Sequence, residues 1–260
     1  MSEDEKTHSI AVPGEWAFRK MLGPTLDAFG EDLAKAYAAG RDRILAAATR
    51  KTPNLEDGGR TNLRITADVF RSGSFTDDEI CAEYFGGVLA SSRSHDGKDD
   101  SAIFYLEIIK SLSSSQLKLH YYIYHTLNIL LSSDPAKAGV NMGQSAESQQ
   151  QKIFLSTVEL SLLGVSVDRD FEVLFRQGLI SEYQAQATPL AVAKMLPYCM
   201  AGATTLGVHL YAVAFNRLQD WRQITLNTFG DMKDVKLPNY FKFSLDELKD
   251  LVATPPLNFT

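Results

Sequence analysis

The chain has 260 residues, enough for one large domain or two small ones with a core that needs no disulfide bridges. Its composition, 45% hydrophobic and 22% charged, is typical of a globular protein and excludes collagen-like, low-complexity and wholly disordered chains. The 26 basic and 32 acidic residues give a net charge of −6. Without a basic field, the sequence predicts no nucleic-acid partner.

The first residues and the two cysteines indicate where in the cell the protein is located. Residues 1–13 are polar and acidic and lack the apolar segment of a signal peptide, so we expect a short disordered lead and no export. Cys81 and Cys199 lie in apolar surroundings, far apart and without a neighbouring metal-ligand pattern. The sequence therefore predicts two buried free thiols and a cytoplasmic location.

Helical periodicity dominates residues 14–133, which we predict to form an N-terminal helical bundle. A first amphipathic pattern is interrupted at Gly23-Pro24, where the longer helix is expected to begin. Thr76 and Glu79 have the spacing of a capping box, with Thr76 as the N-cap of the helix that follows. The predicted helices of this region cover residues 24–48, 77–92, 103–112 and 116–131.

The helix over residues 116–131 is predicted to be the centre of the bundle. It is apolar on nearly every face, which is typical of a helix that is covered on all sides. Ser113, Ser114 and Ser115 precede it and supply candidate N-caps.

The second half of the chain is predicted as a smaller unit. Residues 134–150 are rich in Gly, Ser and Gln and lack apolar periodicity, so they are interpreted as a linker. Residues 151–220 are predicted to be mainly helical, with a helix starting at Thr188-Pro189 and short extended pieces after Gly178 and near Thr204. That combination leaves a winged-helix-like arrangement open. Residues 221–260 read as a loosely held tail, and the fold class is predicted as mainly α.

Three clusters of polar residues are candidate sites. His120 and His125 are five apart on one helix, whereas two metal ligands on a helix need a spacing of three or four. The acidic loop Asp96, Asp99 and Asp100 lacks the ligand pattern of a calcium loop. The acidic turn 77–79 is explained by a helix start. The sequence therefore predicts no catalytic, cofactor-binding or metal-binding residue.

The apolar stretch 195–215 is the basis of an alternative. It is long enough to cross the hydrocarbon core of a bilayer, roughly 30 Å. Pro197, Gly202 and His209 interrupt it, and no Lys/Arg cluster flanks it. A buried core segment is the preferred interpretation, and membrane insertion stays the alternative.

Several short motifs together resemble the Abi-alpha (abortive infection alpha) family of bacterial proteins. The resemblance extends over about residues 20 to 220 and rests on structural rather than catalytic motifs. Its residues are Gly23-Pro24-Thr25-Leu26, Phe75-Thr76-Asp77-Asp78-Glu79, Tyr84-Phe85-Gly86-Gly87, Leu112-Ser113-Ser114, Gly178-Leu179-Ile180 and Thr204-Thr205-Leu206-Gly207.

The resemblance implies a helical bacterial protein associated with phage resistance, and it carries over no active-site residue. The expected function is that of a non-enzymatic interaction or regulatory protein in phage defence, with a protein partner or self-association. Two alternatives stay open. One is a membrane-acting effector that inserts residues 195–215, and the other is a hydrolase with an unrecognised site.

Overall fold

The structure is a computed structural model that describes residues 34–191 and 194–253. The predicted lead 1–13 and the break at Gly23-Pro24 lie outside the described residues. In chain order the elements are α1 (34–51), β1 (Arg60–Thr61), α2 (Leu63–Gly73), α3 (Glu79–Ser91), β2 (Arg93–Ser94), α4 (Ile103–Ser111), α5 (Ser114–Ser133), α6 (Ser145–Gln150), β3 (Lys152–Ser156), α7 (Thr157–Leu162), α8 (Val167–Arg176), β4 (Ile180–Ala191), β5 (Lys194–Ala203), α9 (Thr205–Ala214), β6 (Phe241–Lys242) and α10 (Leu245–Ala253).

The prediction of a mainly α fold is wrong, because the described residues are an α and β mixture, 55% helix and 15% strand. Strands β1 and β2 pair in a small antiparallel sheet. A second antiparallel sheet has four strands in the order β4-β5-β3-β6. The C-terminal part is therefore built around a sheet and is not a mainly helical unit.

Strand β5 was missed because both of its faces are covered. Cys199 and Ala201 face the main hydrophobic core. Tyr198 and Met200 face the other way, in a second small cluster with Leu248 of α10. A strand that is buried on both faces is a continuous apolar run without alternation, and such a run resembles a buried helix in sequence.

Two prolines lie in this hairpin at positions that strands tolerate. Pro189 belongs to β4, an edge strand of the four-stranded sheet, where the sequence predicted the first turn of a helix. Pro197 of β5 pairs with Ala187 of β4, and it precedes the segment 198–202 that pairs with β3. Proline donates no amide hydrogen and is accommodated where a strand has a partner on one side only.

Helix α5 is confirmed as the central helix. Ser113 caps it in a full capping box with Gln116. Buried residues occupy every face, including the fully buried Leu119, Tyr121 and Tyr124. The helix packs against α3, α8 and α9, and it contacts β3 and β5 of the sheet. This position makes α5 the common support of both halves of the chain.

The N-cap of α3 is Asp78, so the predicted cap at Thr76 is wrong. The Asp78 carboxylate accepts a hydrogen bond from the Ile80 amide at 3.3 Å and pairs with Lys118 Nζ at 2.7 Å. Thr76 stays in the turn before the helix, where its amide donates to the Gly73 carbonyl. Its own carbonyl accepts from Arg43 Nη2 at 2.6 Å. These two bonds hold Thr76 outside the helix.

The two predicted parts share one hydrophobic core, which extends from Ile44 through α5 to Met232. Between them, residues 134–150 contain α6, a short 3-10 helix and the buried Met142. The division into separate folding units stays a prediction.

An irregular segment, residues 226–240, crosses the surface of α5, and we call it the strap. Asn128 accepts from the Phe229 amide at 2.8 Å, and Tyr121 Oη accepts from the Met232 amide at 3.1 Å. Glu159 of α7 accepts from the Tyr240 amide at 2.8 Å. Side chains thus hold three amides of the strap, in contrast to the loosely held tail that its composition predicts.

Candidate functional site

A cavity of about 300 Å³ opens between the ends of α1 and α9, the middle of α3 and the strap, and we call it the charged pocket. The side chains that line it include Arg50, Lys51, Glu83, Phe215, Arg217 and Asp231. Most of these residues are ionisable. The pocket therefore combines charge with partial enclosure, which is typical of a functional site.

Glu83 is the charged group at the base of this pocket, with a side chain that is 2% exposed. Lys51 Nζ lies 2.5 Å from Glu83 Oε2 and donates to the Glu83 carbonyl at 2.6 Å. Arg50 Nη2 pairs with Glu83 Oε1, which also accepts from the Lys233 amide of the strap. A buried carboxylate needs such partners, since an unpaired buried charge is strongly destabilising.

Lys51 has a pKa closer to neutral pH than that of an ordinary lysine. Burial lowers the pKa of Lys51 from 10.5 to about 8, against the opposing effect of the Glu83 carboxylate. Lys51 is therefore mainly protonated at pH 7, and it loses its proton at a lower pH than an ordinary lysine.

The ends of α1 and α9 are tied together at the mouth of the pocket. Asn216 follows α9 with φ = 56°, the left-handed region that Asn tolerates better than most residues. Its Nδ2 donates to the Lys51 carbonyl at 2.9 Å. Phe215 beside it and Phe229 of the strap supply an apolar wall.

His125 lies behind the pocket. Its Nδ1 is 3.2 Å from Tyr211 Oη, and its Nε2 is 3.1 Å from Asp231 Oδ1. The His125–Asp231 contact is close in distance but does not have hydrogen-bond alignment. Burial lowers the pKa of His125, and the Asp231 charge opposes this effect. His125 is thus a neutral ring at pH 7.

His120 lies one helical turn away and has separate partners. Its Nε2 is 3.1 Å from the Gly207 carbonyl, which can only accept, so Nε2 carries the hydrogen. Tyr84 Oη therefore donates to Nδ1, at 2.5 Å. Burial lowers the pKa of His120 to about 3. The two histidines have no contact partner in common. In the described part of the chain, no group of three or more His, Cys, Asp or Glu side chains is suited to a metal ion.

His120 gives a testable pH dependence. Its folded-state pKa lies below its ordinary value, so between pH 6.5 and about 3 the unfolded chain binds a proton that the folded chain does not. Stability therefore falls as the pH falls through this window, by up to about 1.4 kcal/mol per unit from His120. Urea titrations at pH 7, 6 and 5 should show a shallower pH dependence for His120→Gln than for the parent. The exposed His95→Gln is the control, and equal slopes for parent and His120→Gln would contradict the assignment.

A second cavity lies further along the strap. This open groove of about 750 Å³ is lined by the acidic turn 77–79, Lys118 of α5, Leu162 of α7 and the strap residues Asp234 and Lys236. We call it the acidic groove. Leu162, at its edge, is 83% exposed. The acidic turn singled out in the sequence thus contributes to a surface groove as well as to the start of α3.

The other residues weighed in the sequence lie apart from the charged pocket. Cys81 and Cys199 are free and buried, as predicted. Asp96 accepts hydrogen bonds from the Ser94 hydroxyl and the Lys98 amide, so its carboxylate closes a turn of the surface loop.

The apolar stretch 195–215 does not form one helix. Residues up to Ala203 belong to β5 and pair with β4 and β3, and α9 begins at Thr205. Among the described residues, no helix combines the length and apolarity that crossing a membrane requires.

Sequence reasoning missed the charged pocket because its residues come from four separate segments. One signal was available: Glu83 is the single charged residue within the apolar run 80–90. A lone carboxylate in such a run indicates a buried charge that needs partners from elsewhere in the fold. The sequence gives no indication that Arg50 and Lys51 are those partners.

Comparison of the chain with family models, curated proteins and solved structures gives no match.

Proposed function

We propose that this chain is a non-enzymatic regulatory protein of bacterial phage defence that acts in the cytoplasm through a protein partner or self-association. The resemblance to the Abi-alpha family supplies the biological setting. The arrangement of the two cavities supports a regulatory role.

The observation that carries the proposal is that the strap forms a wall of both cavities. Phe229 and Asp231 line the charged pocket, and Asp234, Val235 and Lys236 line the acidic groove. Between these two sets, the amides of Met232 and Lys233 are held by Tyr121 and Glu83. A change at Glu83 is thereby linked through a few backbone bonds to the groove. Such a shared element is what coupling between two sites requires.

The acidic groove is the surface proposed to contact the partner. Leu162 is a large apolar side chain in water beside charged neighbours, the pattern of an anchor residue with a polar rim. Four carboxylates, from Asp77, Asp78, Glu79 and Asp234, line the groove together with the ammonium groups of Lys118 and Lys236. Arg43 pairs with Asp77 and Glu79, and Lys233 pairs with Asp234, so the charges around the groove are balanced. This arrangement favours a partner segment with an apolar residue surrounded by polar ones.

The pocket itself favours binding over chemistry. Both carboxylate oxygens of Glu83 are engaged by protein donors, and Lys51 is engaged by Glu83. Within the described residues, His120 and His125 have their contacts inside the fold. Glu83 and Lys51 are thus engaged with each other, and Glu83 also with Arg50, which favours binding over proton transfer by these two groups.

Phage plaque counts test the proposal. Cells that express the parent chain should give at least tenfold fewer plaques than cells without it, at matched growth rates. Leu162→Ser should abolish this protection without a change in the melting temperature, because the side chain is 83% exposed and contributes little to the core.

Leu63→Ser is the matched control, since Leu63 of α2 is also 83% exposed but does not line the groove. It should protect like the parent. Absence of protection by the parent would overturn the proposed function, and equal protection by Leu162→Ser would overturn the role of the groove.

A further inference from the structure

We infer that the charged pocket is a binding site for a small organic anion, one carboxylate or phosphate group attached to a flat apolar body. The inference rests on the proposed function, in which this pocket is the input of the regulator. It names the chemistry that the input recognises. The cavity of about 300 Å³ lies at the small end of ligand pockets, so the ligand is smaller than a typical drug molecule.

The charge of the lining favours an anion. Arg50, Lys51 and Arg217 carry three positive charges, and Glu83 and Asp231 carry two negative charges, which leaves +1. The whole chain carries −6, so this pocket departs in sign from the rest of the molecule. Glu83 is neutralised by its own ion pairs and presents no free carboxylate to a ligand.

Two guanidinium groups have donors to spare. Arg50 uses Nη2 for Glu83, and its side chain is 42% exposed. Arg217 is 52% exposed, and its Nη1 reaches Asp220 Oδ2 only at 4.0 Å, beyond hydrogen-bond distance. A guanidinium carries five N–H donors in a planar fork that matches a carboxylate or phosphate. These two side chains are therefore the anion-binding groups.

The opposite wall suits a flat apolar body. The partly buried Phe229 ring supplies the apolar surface, and the Phe215 ring, 6.3 Å away at 55° and 8% exposed, packs against it from the core. Tyr211 stacks on Phe229 at 5.7 Å and fixes its orientation. A ligand lies against this surface rather than between the two rings, with its charged end towards the arginines.

The helix ends at this pocket work against an anion, but their carbonyls are largely engaged. Helices α1 and α9 both end here, and a helix C-terminus carries partial negative charge. The Lys51 carbonyl accepts from Asn216 Nδ2, and the Ala212 carbonyl accepts from the Phe215 and Arg217 amides. These bonds offset the partial charge of the helix ends, so the net side-chain charge of +1 continues to favour an anion.

Titration calorimetry on the full chain at pH 7 with three probes tests the inference. Benzoate has both the anion and the flat body, benzamide has the body alone, and inorganic phosphate has the anion alone. We expect benzoate to bind with a dissociation constant below about 1 mM, and the other two to bind at least about tenfold more weakly, since each lacks one half of the recognition.

Arg217→Gln tests the site of binding, because it removes one guanidinium from a half-exposed position. It should weaken benzoate binding by about tenfold, the size of one charge-assisted hydrogen bond, with an unchanged melting temperature. Arg64→Gln on α2 is the control, because Arg64 is exposed and does not line the pocket. It should bind benzoate like the parent.

Three results would overturn the inference: no heat of binding with benzoate, equal affinity for phosphate or benzamide, or full affinity in Arg217→Gln. A chain that binds benzoate as expected but gives no phage protection overturns the proposed function alone. A chain that protects but does not bind benzoate overturns the ligand class alone.

Discussion

Tyr124→Asp should unfold the protein at temperatures where the parent is stable. Tyr124 is fully buried on α5, where its hydroxyl donates to the Leu179 carbonyl at 2.5 Å and accepts from the Thr204 amide at 2.9 Å. An aspartate is too short to reach these partners and places an unpaired carboxylate in the core, which costs several kcal/mol. For a chain of this size, the melting midpoint in a thermal scan should fall by about 10 °C or more.

The control for this change is Phe104→Asp. Phe104 is an aromatic residue on α4 that is 58% exposed, so the same new carboxylate remains in water. Its midpoint should stay within about 2 °C of the parent. If the melting midpoint of Tyr124→Asp equals that of Phe104→Asp, α5 is not the centre of the core.

Gly87→Ala should also be strongly destabilising, although it adds one methyl group. A Cβ at Gly87 of α3 would lie 2.3 Å from the backbone oxygen of Ala214 in α9. Backbone atoms cannot turn away as a side chain does, so α3 and α9 must separate and lose packing along their contact. Overpacking of this kind costs about 1–3 kcal/mol or more, measurable as a lower urea midpoint with an unchanged slope.

Gly139→Ala is the matched control, because a Cβ there meets no atom within 4 Å. It should leave the urea midpoint unchanged or raise it slightly, since alanine has less freedom than glycine in the unfolded chain. If both variants unfold alike, the close approach of α3 and α9 is not a determinant of stability. Gly86 and Gly87 belong to the motifs that resemble the Abi-alpha family, and their positions give that motif a packing role on two faces of α3.

The central helices could be predicted because their signals are local. An apolar pattern on all faces and a Ser-Gln capping box are sufficient to place α5 in the core. The cap of α3 was predicted two residues too early, since Thr76 and Asp78 are both good N-caps. The bonds of Thr76 to Arg43 of α1 and to Gly73 at the end of α2 decide between them, because they hold Thr76 outside α3.

The sheet could not be predicted in the same way. Strand β5 is apolar after Lys194 because α10 covers the face that would otherwise be polar, and α10 lies about fifty residues away in sequence. Alternation disappears when both faces are buried, and Pro189 then supplied a false helix signal. The fold class thus depended on which elements pack together, and this is information that a local pattern does not contain.

The charged pocket likewise depends on contacts that a local sequence pattern does not contain. The residues alone indicate a globular composition, a central apolar helix and one anomalous carboxylate, Glu83, within an apolar run. Folding brings Arg50 and Lys51 to that carboxylate and places the Lys233 amide of the strap beside it. A buried charge requires partners for electrostatic reasons, but the partners come from wherever the chain folds back, so their identity is decided by packing.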